Sequence, residues 1–152
     1  MIRLIISDCD GVLTDGKLYY GAEGEVLKVF NVKDGTAIKA LMSEGVKFGV
    51  VSGRGSAALL RRTEELGLDF CQMNISDKAE AVAALRKQYG VAVHETLFVG
   101  DDTNDCVVRS ECGHLYAVND AAQALLEICD VQLKTKGGAG VFKEVLKRIH
   151  GN

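Results

Sequence analysis

Apolar and polar positions follow one another in blocks that predict alternating strands and helices. The chain opens with an apolar, β-branched run at residues 2–6, which is typical of a strand buried on both faces of a sheet. Further short apolar runs predict more strands, and segments with helical periodicity separate them. The predicted strands are 2–6, 46–51, 69–73, 96–99, 115–118 and 131–133, and the predicted helices are 36–44, 56–66, 77–89, 103–109, 121–128 and 141–149.

Strands that alternate with helices in this way imply right-handed βαβ units. We therefore expect an α/β fold: a Rossmann-like, doubly wound parallel sheet with helices on both faces. No linker or internal repeat divides the chain, so residues 1–152 are predicted to form one domain. The predicted helix N-caps are Asp34, Ser76 and Asp120, the last in a capping box with Gln123.

One segment departs from the alternation. Residues 17–20 and 25–30 predict a β-hairpin that turns at 22–24, inserted before the first helix. Apolar side chains occupy both of its faces, and a two-stranded hairpin alone in water is marginally stable. Because an exposed apolar surface of this kind promotes association, we expect other subunits to cover the hairpin.

Composition and charge narrow the classes of function. The net charge is −3 and no basic block stands out, which argues against a general nucleic-acid or membrane-surface partner. No apolar run approaches ~18 residues, so no membrane span is predicted. The N-terminal run lacks the features of a secretory signal, and the five cysteines are an odd number without a CxxC pair. We therefore expect reduced thiols in a cytoplasmic protein.

Polar residues interrupt the pattern where predicted strands end, and in an open α/β sheet the carboxyl ends of the strands form the ligand-binding rim. These residues are Asp8, Asp10, Ser52, Gly53, Lys78, Asp101 and Asp102. Carboxylates 4 Å apart repel by ~4 kcal/mol per pair at an effective dielectric of 20, so the acids need a cation, and an all-oxygen set suits Mg²⁺. Lys78, Ser52 and the backbone N–H groups around Gly53 suit an anion. A metal beside an anion pocket predicts phosphate transfer.

The same residues, taken in order, resemble the four motifs of the haloacid dehalogenase phosphatases. The motifs are DCDGVLTDG at 8–16, SGR at 52–54, Lys78 and GDDTND at 100–105. The sequence DGVLTDG at 10–16, with NVKDG at 31–35 after a hairpin, resembles the small branch of this family that has no cap domain. That branch includes phosphatases of 3-deoxy-D-manno-octulosonate 8-phosphate and of nonulosonate 9-phosphates.

The resemblance implies a role for each matching residue. Asp8 would be the nucleophile, and Asp10 would be the general acid and then the general base. Mg²⁺ would be held by the Asp8 carboxylate, the Asp10 carbonyl and Asp101. The remaining residues are Asp102 and Asp105, which would support the metal site, and Ser52, Gly53 and Lys78, which would bind the phosphoryl group.

The substrate implied by the resemblance is a small sugar-acid phosphate. Arg54 could bind a sugar carboxylate through two hydrogen bonds, and the SGR wording favours the eight-carbon acid. Lys33 is also expected to contact the substrate. Ala139 stands where arginine is frequent in octulosonate phosphatases, so a nine-carbon acid stays the alternative.

The resemblance also implies a homotetramer formed through the hairpins, with neighbouring chains closing each active site. Two other classes of protein stay open on the sequence. A phosphoacceptor signalling domain uses a similar set of acids, a hydroxyl and a lysine. In that class, however, the acids stand adjacent on the first strand and the phosphate acceptor lies on a middle strand, and neither feature fits this sequence. A non-catalytic oligomerisation module would be expected to lose Asp8, Asp10 or Lys78, and none of these is missing here.

Overall fold

Six strands form one parallel sheet, and two others form a separate antiparallel hairpin. The computed structural model describes residues 1–151. The strands are β1 (Leu4–Ser7), β2 (Tyr19–Gly21), β3 (Gly24–Leu27), β4 (Lys47–Val51), β5 (Phe70–Gln72), β6 (Thr96–Gly100), β7 (His114–Ala117) and β8 (Val131–Gln132). The α-helices are α1 (Val32–Ser43), α2 (Ala57–Leu66), α3 (Lys78–Tyr89), α4 (Gln123–Ile128) and α5 (Val141–Ile149), and 3₁₀-helices cover Val93–Glu95 and Thr103–Glu111.

The order of the sheet is β5-β4-β1-β6-β7-β8, with β1 near its centre. Ser7, the last residue of β1, is in register with Val50 of β4 and with Val99 of β6. The carboxyl ends of these three strands therefore lie side by side. This register carries the residues that follow the strands to one rim.

The sheet is packed on both faces, as the continuous apolar run of β1 predicts. Ile5 points into a core formed with α1 and α5, in which the rings of Phe48 and Phe142 meet edge to face with centroids 4.9 Å apart. Leu4 and Ile6 point into a second core on the other face, formed with α3 and the 103–111 helix. The predicted doubly wound α/β fold without a cap domain is confirmed.

Three predicted N-caps are wrong. The cap of α1 is Asn31, whose Oδ1 accepts from the backbone N–H of Lys33 at 2.9 Å, so the helix begins four residues earlier than predicted. Asp34 is instead buried in the first turn and accepts from the N–H of Phe142 at 2.8 Å. Asp77, not Ser76, caps α3.

Asp120 does not cap α4, whose N-cap residue is Ala122 and makes no side-chain capping bond. The Asp120 carboxylate accepts instead from the N–H of Gly137 at 3.1 Å. It therefore joins the loop before α4 to the glycine-rich loop before α5, a contact between distant segments. Within residues 1–151 no helix is long and apolar enough to cross a membrane.

Candidate active site

The Asp8 carboxyl lies at the rim of the sheet because β1 ends immediately before it. Its Oδ1 accepts from the backbone N–H of Cys9 at 2.7 Å, and the backbone N–H of Asp8 donates to Val99 at 3.0 Å. The chain then turns at Gly11, which has a φ of +85°. A Cβ at this position would overlap the carboxylate of Asp101, so glycine is needed for two acidic segments to approach each other.

Carboxylate oxygens of Asp8, Asp101 and Asp105 lie within 4.8 Å of one another. Burial and the charge of Asp105 raise the pKa of Asp8 to about 6. Burial and the charge of Asp8 raise the pKa of Asp101 to about 9, and its buried Oδ1 has no hydrogen-bond partner among residues 1–151. Buried acids that resist ionisation together, with one oxygen unpartnered, are what a divalent cation would stabilise. The site therefore fits the predicted Mg²⁺.

Asp105 is fully buried, and both of its oxygens are already engaged. One accepts from the backbone N–H groups of Asp101 and Asp102 at 3.0 and 3.1 Å, and the other lies 2.6 Å from Nζ of Lys78. Asp105 thus orders the loop that carries Asp101. The Asp102 side chain is exposed and accepts from the N–H of Thr103 at 2.7 Å, at the start of the 3₁₀-helix.

Lys78 is the first residue of α3 and is only 2% exposed. Its Nζ lies 3.2 Å from Oδ2 of Asp8 as well as 2.6 Å from Asp105. Burial alone would lower the pKa of Lys78, but the two carboxylates more than offset it and the pKa is raised. The side chain is therefore a fixed cation beside Asp8.

A pocket of about 200 Å³ opens at this rim. It is lined by Asp8, Asp10, Gly16, Ser52, Gly53, Arg54, Lys78, Asp101, Asp102 and Asn104. Ser52 is buried, and its Oγ accepts from the N–H of Arg54 at 3.2 Å, which folds the 52–54 turn around the pocket. Eight of the ten predicted site residues line this pocket, and Asp105 lies beneath it.

Lys33 does not line this pocket. It lies in a separate cleft of about 530 Å³ along α5, together with Ala139 and three further lysines, Lys134, Lys143 and Lys147. The resemblance implied a substrate contact for Lys33, but this residue, in the first turn of α1, lines the α5 cleft instead of the rim pocket of its own chain.

Two residues near the pocket were not found from the sequence. Asn104 lies in the motif at 100–105 but was given no role. Lys28, on the hairpin, has its Nζ 2.7 Å from Oδ1 of Asp10 and 3.1 Å from Oε2 of Glu25. The only sequence signal for Lys28 was a single charge in the apolar run 26–30.

Comparisons with known proteins agree with this geometry. Residues 73–145 match the family of haloacid dehalogenase-like hydrolases. The chain is 42% identical over 148 residues to the 3-deoxy-D-manno-octulosonate 8-phosphate phosphatase of Haemophilus influenzae, covering 97% of this chain and 82% of that protein. The chain belongs to the haloacid dehalogenase-like hydrolases. The corresponding phosphatase of Yersinia pestis is 36% identical, with 97% and 79% coverage.

Solved structures extend the likeness to the whole fold of this hydrolase. The cobalt-bound octulosonate 8-phosphate phosphatase of Haemophilus influenzae has a TM-score of 0.95 and 41% identity, and the match covers 99% of this chain and 88% of that one. The Moraxella catarrhalis phosphatase, in complex with magnesium, phosphate and KDO, has a TM-score of 0.94 and 32% identity, with 99% and 86% coverage. This hydrolase is a metal-dependent phosphatase, which decides against the non-catalytic module.

Proposed function

We propose that this phosphatase hydrolyses 3-deoxy-D-manno-octulosonate 8-phosphate through an aspartyl phosphate on Asp8. The observation that carries the proposal is the convergence of Asp8, Lys78 and Asp101 on one small pocket at the end of β1. Relatives named for this substrate, one of them in complex with KDO and phosphate, support the choice.

In the first step an Asp8 oxygen attacks phosphorus while Lys78, Ser52 and the backbone around Gly53 hold the phosphoryl oxygens. Asp10 donates a proton to the departing sugar oxygen. In the second step Asp10 accepts a proton from the water that attacks the aspartyl phosphate. Mg²⁺, held by Asp8, Asp101 and the Asp10 carbonyl, would neutralise negative charge between the nucleophile and the phosphoryl group.

The size of the rate acceleration in phosphate-monoester hydrolysis requires these groups to act together. Enzymes accelerate phosphate-monoester hydrolysis by up to ~10²¹-fold, whereas a single general acid or base contributes ~10²–10⁴. The rim pocket of this chain brings together the buried Asp8 carboxyl, the buried Lys78, the acid Asp101 proposed to hold the metal, and the Asp10 carboxyl. We therefore assign catalysis to the set rather than to any one residue.

Arg54 supports a carboxylated substrate. Its guanidinium is half-exposed at the pocket, with Nε 3.8 Å from Asp10 and Nη2 3.4 Å from the hydroxyl of Tyr20. These weak contacts leave it free to bind a carboxylate. A nonulosonate 9-phosphate remains the alternative substrate, although Ala139, which raised it, does not line this pocket.

We also propose a cytoplasmic homotetramer of one-domain chains. Five apolar hairpin side chains are 46–64% exposed, which is an unusual surface for a monomer. They are Leu18, Tyr20, Val26, Leu27 and Val29. A second copy would bury them and help to close the pocket, in place of a cap. All five cysteines are free, as expected in a reducing compartment.

The test is kcat/KM with Mg²⁺ for octulosonate 8-phosphate, a nonulosonate 9-phosphate and an aryl phosphate. We expect the eight-carbon substrate to be preferred, and Asp8→Asn to abolish turnover while its circular dichroism stays that of the wild type. A preference for the nine-carbon substrate would select the alternative. Wild-type rates in Asp8→Asn would remove Asp8 from the nucleophile role, and a long-lived phosphoprotein would favour the phosphoacceptor class.

A further inference from the structure

The hairpin presents one buried charge to the active site. Lys28 follows β3, and its side chain is 4% exposed, whereas the apolar residues on either side of it in the chain are exposed. Burying an ammonium group is costly unless carboxylates pair with it. Here two do, Asp10 at 2.7 Å and Glu25 at 3.1 Å. Burial at this position therefore calls for an explanation beyond hairpin packing.

We propose that Lys28 is a positioning residue that fixes the Asp10 carboxyl for proton delivery to the leaving oxygen. Within residues 1–151, the hydrogen bond from Lys28 is the only one to the Asp10 side chain. It holds Oδ1, whereas Oδ2 has Nε of Arg54 at 3.8 Å, beyond hydrogen-bonding distance, and is therefore the oxygen that would carry the proton. The inference rests on the proposed role of Asp10.

Glu25 completes the arrangement. It lies three residues before Lys28 and accepts from the same ammonium group, so the lysine is held from two sides. A lysine fixed between two carboxylates loses little further freedom when it orients Asp10, because its rotamer is already set. Lys28 does not line the phosphate pocket, which separates its role from that of Lys78.

A positioning role predicts a dependence on the leaving group. A sugar alkoxide must be protonated as it departs, whereas p-nitrophenolate leaves readily without a proton. A variant that weakens only the action of Asp10 as an acid therefore slows hydrolysis of the sugar phosphate and leaves hydrolysis of the aryl phosphate nearly unchanged. The ratio kcat/KM is the right quantity because it contains only the steps up to departure of the leaving group, and thus excludes the later role of Asp10 as a base.

The experiment compares wild type, Lys28→Met and Lys17→Met with octulosonate 8-phosphate and p-nitrophenyl phosphate. In Lys28→Met we expect kcat/KM to fall at least about 30-fold for the sugar phosphate, which is part of the ~10²–10⁴ that a general acid contributes, and less than about threefold for the aryl phosphate. Lys17, on the same segment and 76% exposed, is the matched control for loss of one charge, and we expect less than about a twofold effect there.

A double-variant cycle gives a second readout. If Lys28 acts through Asp10, adding Lys28→Met to Asp10→Asn costs little more for the sugar phosphate than Asp10→Asn alone. Equal losses of kcat/KM for both substrates in Lys28→Met, or additive losses in the cycle, would overturn the inference. If Lys28→Met does not fold by circular dichroism, Lys28→Gln, which can still donate to Glu25, is judged by the same two criteria.

The outcomes also separate this inference from the proposed function. An inactive wild type would contradict the proposed function itself. If Asp10→Asn shows no dependence on the leaving group, the role of Asp10 as the acid is wrong. If Asp10→Asn loses kcat/KM mainly for the sugar phosphate, but Lys28→Met loses it equally for both substrates, only the role of Lys28 is contradicted.

Discussion

The residues proposed for catalysis are each held at the rim by backbone geometry. Asp8 sits one residue beyond β1, Lys78 starts α3, and Asp105 fixes the loop of Asp101 through two backbone N–H groups. Asp8 and Asp101 both have raised pKa values, about 6 and about 9, because burial and a neighbouring negative charge, that of Asp105 for Asp8 and that of Asp8 for Asp101, disfavour their charged forms. A proton and a divalent cation therefore compete for the same carboxylates.

This competition predicts a pH dependence of metal binding. Below a pKa of about 9, Asp101 must lose a proton when a cation binds, so apparent Mg²⁺ affinity should rise with pH, by up to about tenfold per unit between about pH 6 and 8. Isothermal titration of the metal-free protein at several pH values measures this. We expect Asp101→Asn to bind Mg²⁺ much more weakly. Affinity that is independent of pH in the wild type would contradict the assignment.

Arg54 should determine substrate recognition rather than chemistry. Because its guanidinium is free to bind a carboxylate, Arg54→Ala should raise KM for octulosonate 8-phosphate by about tenfold or more. KM for an aryl phosphate, which has no carboxylate, should change by less than about threefold. Steady-state kinetics on both substrates checks this, and equal changes in KM would mean that Arg54 does not bind the carboxylate.

At the scale of elements, Asp34 links α1 to α5. Its Oδ1 accepts from the N–H of Phe142 at the start of α5, while its Oδ2 is buried and finds no hydrogen-bond partner in the part of the chain that the structure describes. Burial raises the pKa of Asp34 to about 6, despite that hydrogen bond and the nearby charge of Arg62. The ionised form of this carboxyl is therefore disfavoured in the folded protein.

Titration of Asp34 makes the free energy of unfolding depend on pH. Between about pH 4 and 6 the folded state binds more protons at Asp34 than the unfolded state, so the free energy of unfolding falls as pH rises through this range. The loss amounts to at most about 3 kcal/mol. Asp34→Asn lacks this titration, so urea denaturation should show it gaining stability relative to the wild type from about pH 4.5 to 7. A constant difference would contradict the prediction.

The sequence predicted elements better than it predicted their ends. Strand ends were found because buried runs stop sharply at acids and glycines, and this alone brought most of the site together. Helix caps were missed because two polar residues competed within a few positions, Asn31 with Asp34 and Ser76 with Asp77. A tertiary contact decided one of these cases, since the Asp34 carboxyl accepts a hydrogen bond from the backbone N–H of Phe142 in α5 instead of capping α1.

Sequence patterns could not predict which of Lys28 and Lys33 lies at the active site. The hairpin brings Lys28 back to Asp10 across 18 positions, and no local periodicity encodes such a return. Lys33 follows the same hairpin but lies on the exposed side of α1, in a different cleft. Which of the two lysines reaches the active site depends on the path of the chain between residues 28 and 33.

At the scale of the whole molecule, the hairpin should join assembly to catalysis. Val26→Glu with Val29→Glu places two charges in the exposed apolar surface and should dissociate the proposed tetramer, since like charges oppose burial of that surface. Light scattering after gel filtration measures the mass. Because Lys28 lies between these residues, the dissociated protein should lose more activity on sugar phosphate than on aryl phosphate. A wild-type monomer, or a variant that stays tetrameric, would contradict this arrangement.

In the proposed mechanism, the phosphoryl group passes through the Asp8 carboxylate before it reaches water. The most direct test is the stereochemistry of hydrolysis of a phosphorothioate ester whose phosphorus carries two different oxygen isotopes besides sulfur, in water of the third isotope, so that the thiophosphate released is chiral. Two successive in-line displacements, first by Asp8 and then by water, predict retention of configuration at phosphorus. Inversion would show direct attack by water and would rule out the aspartyl phosphate.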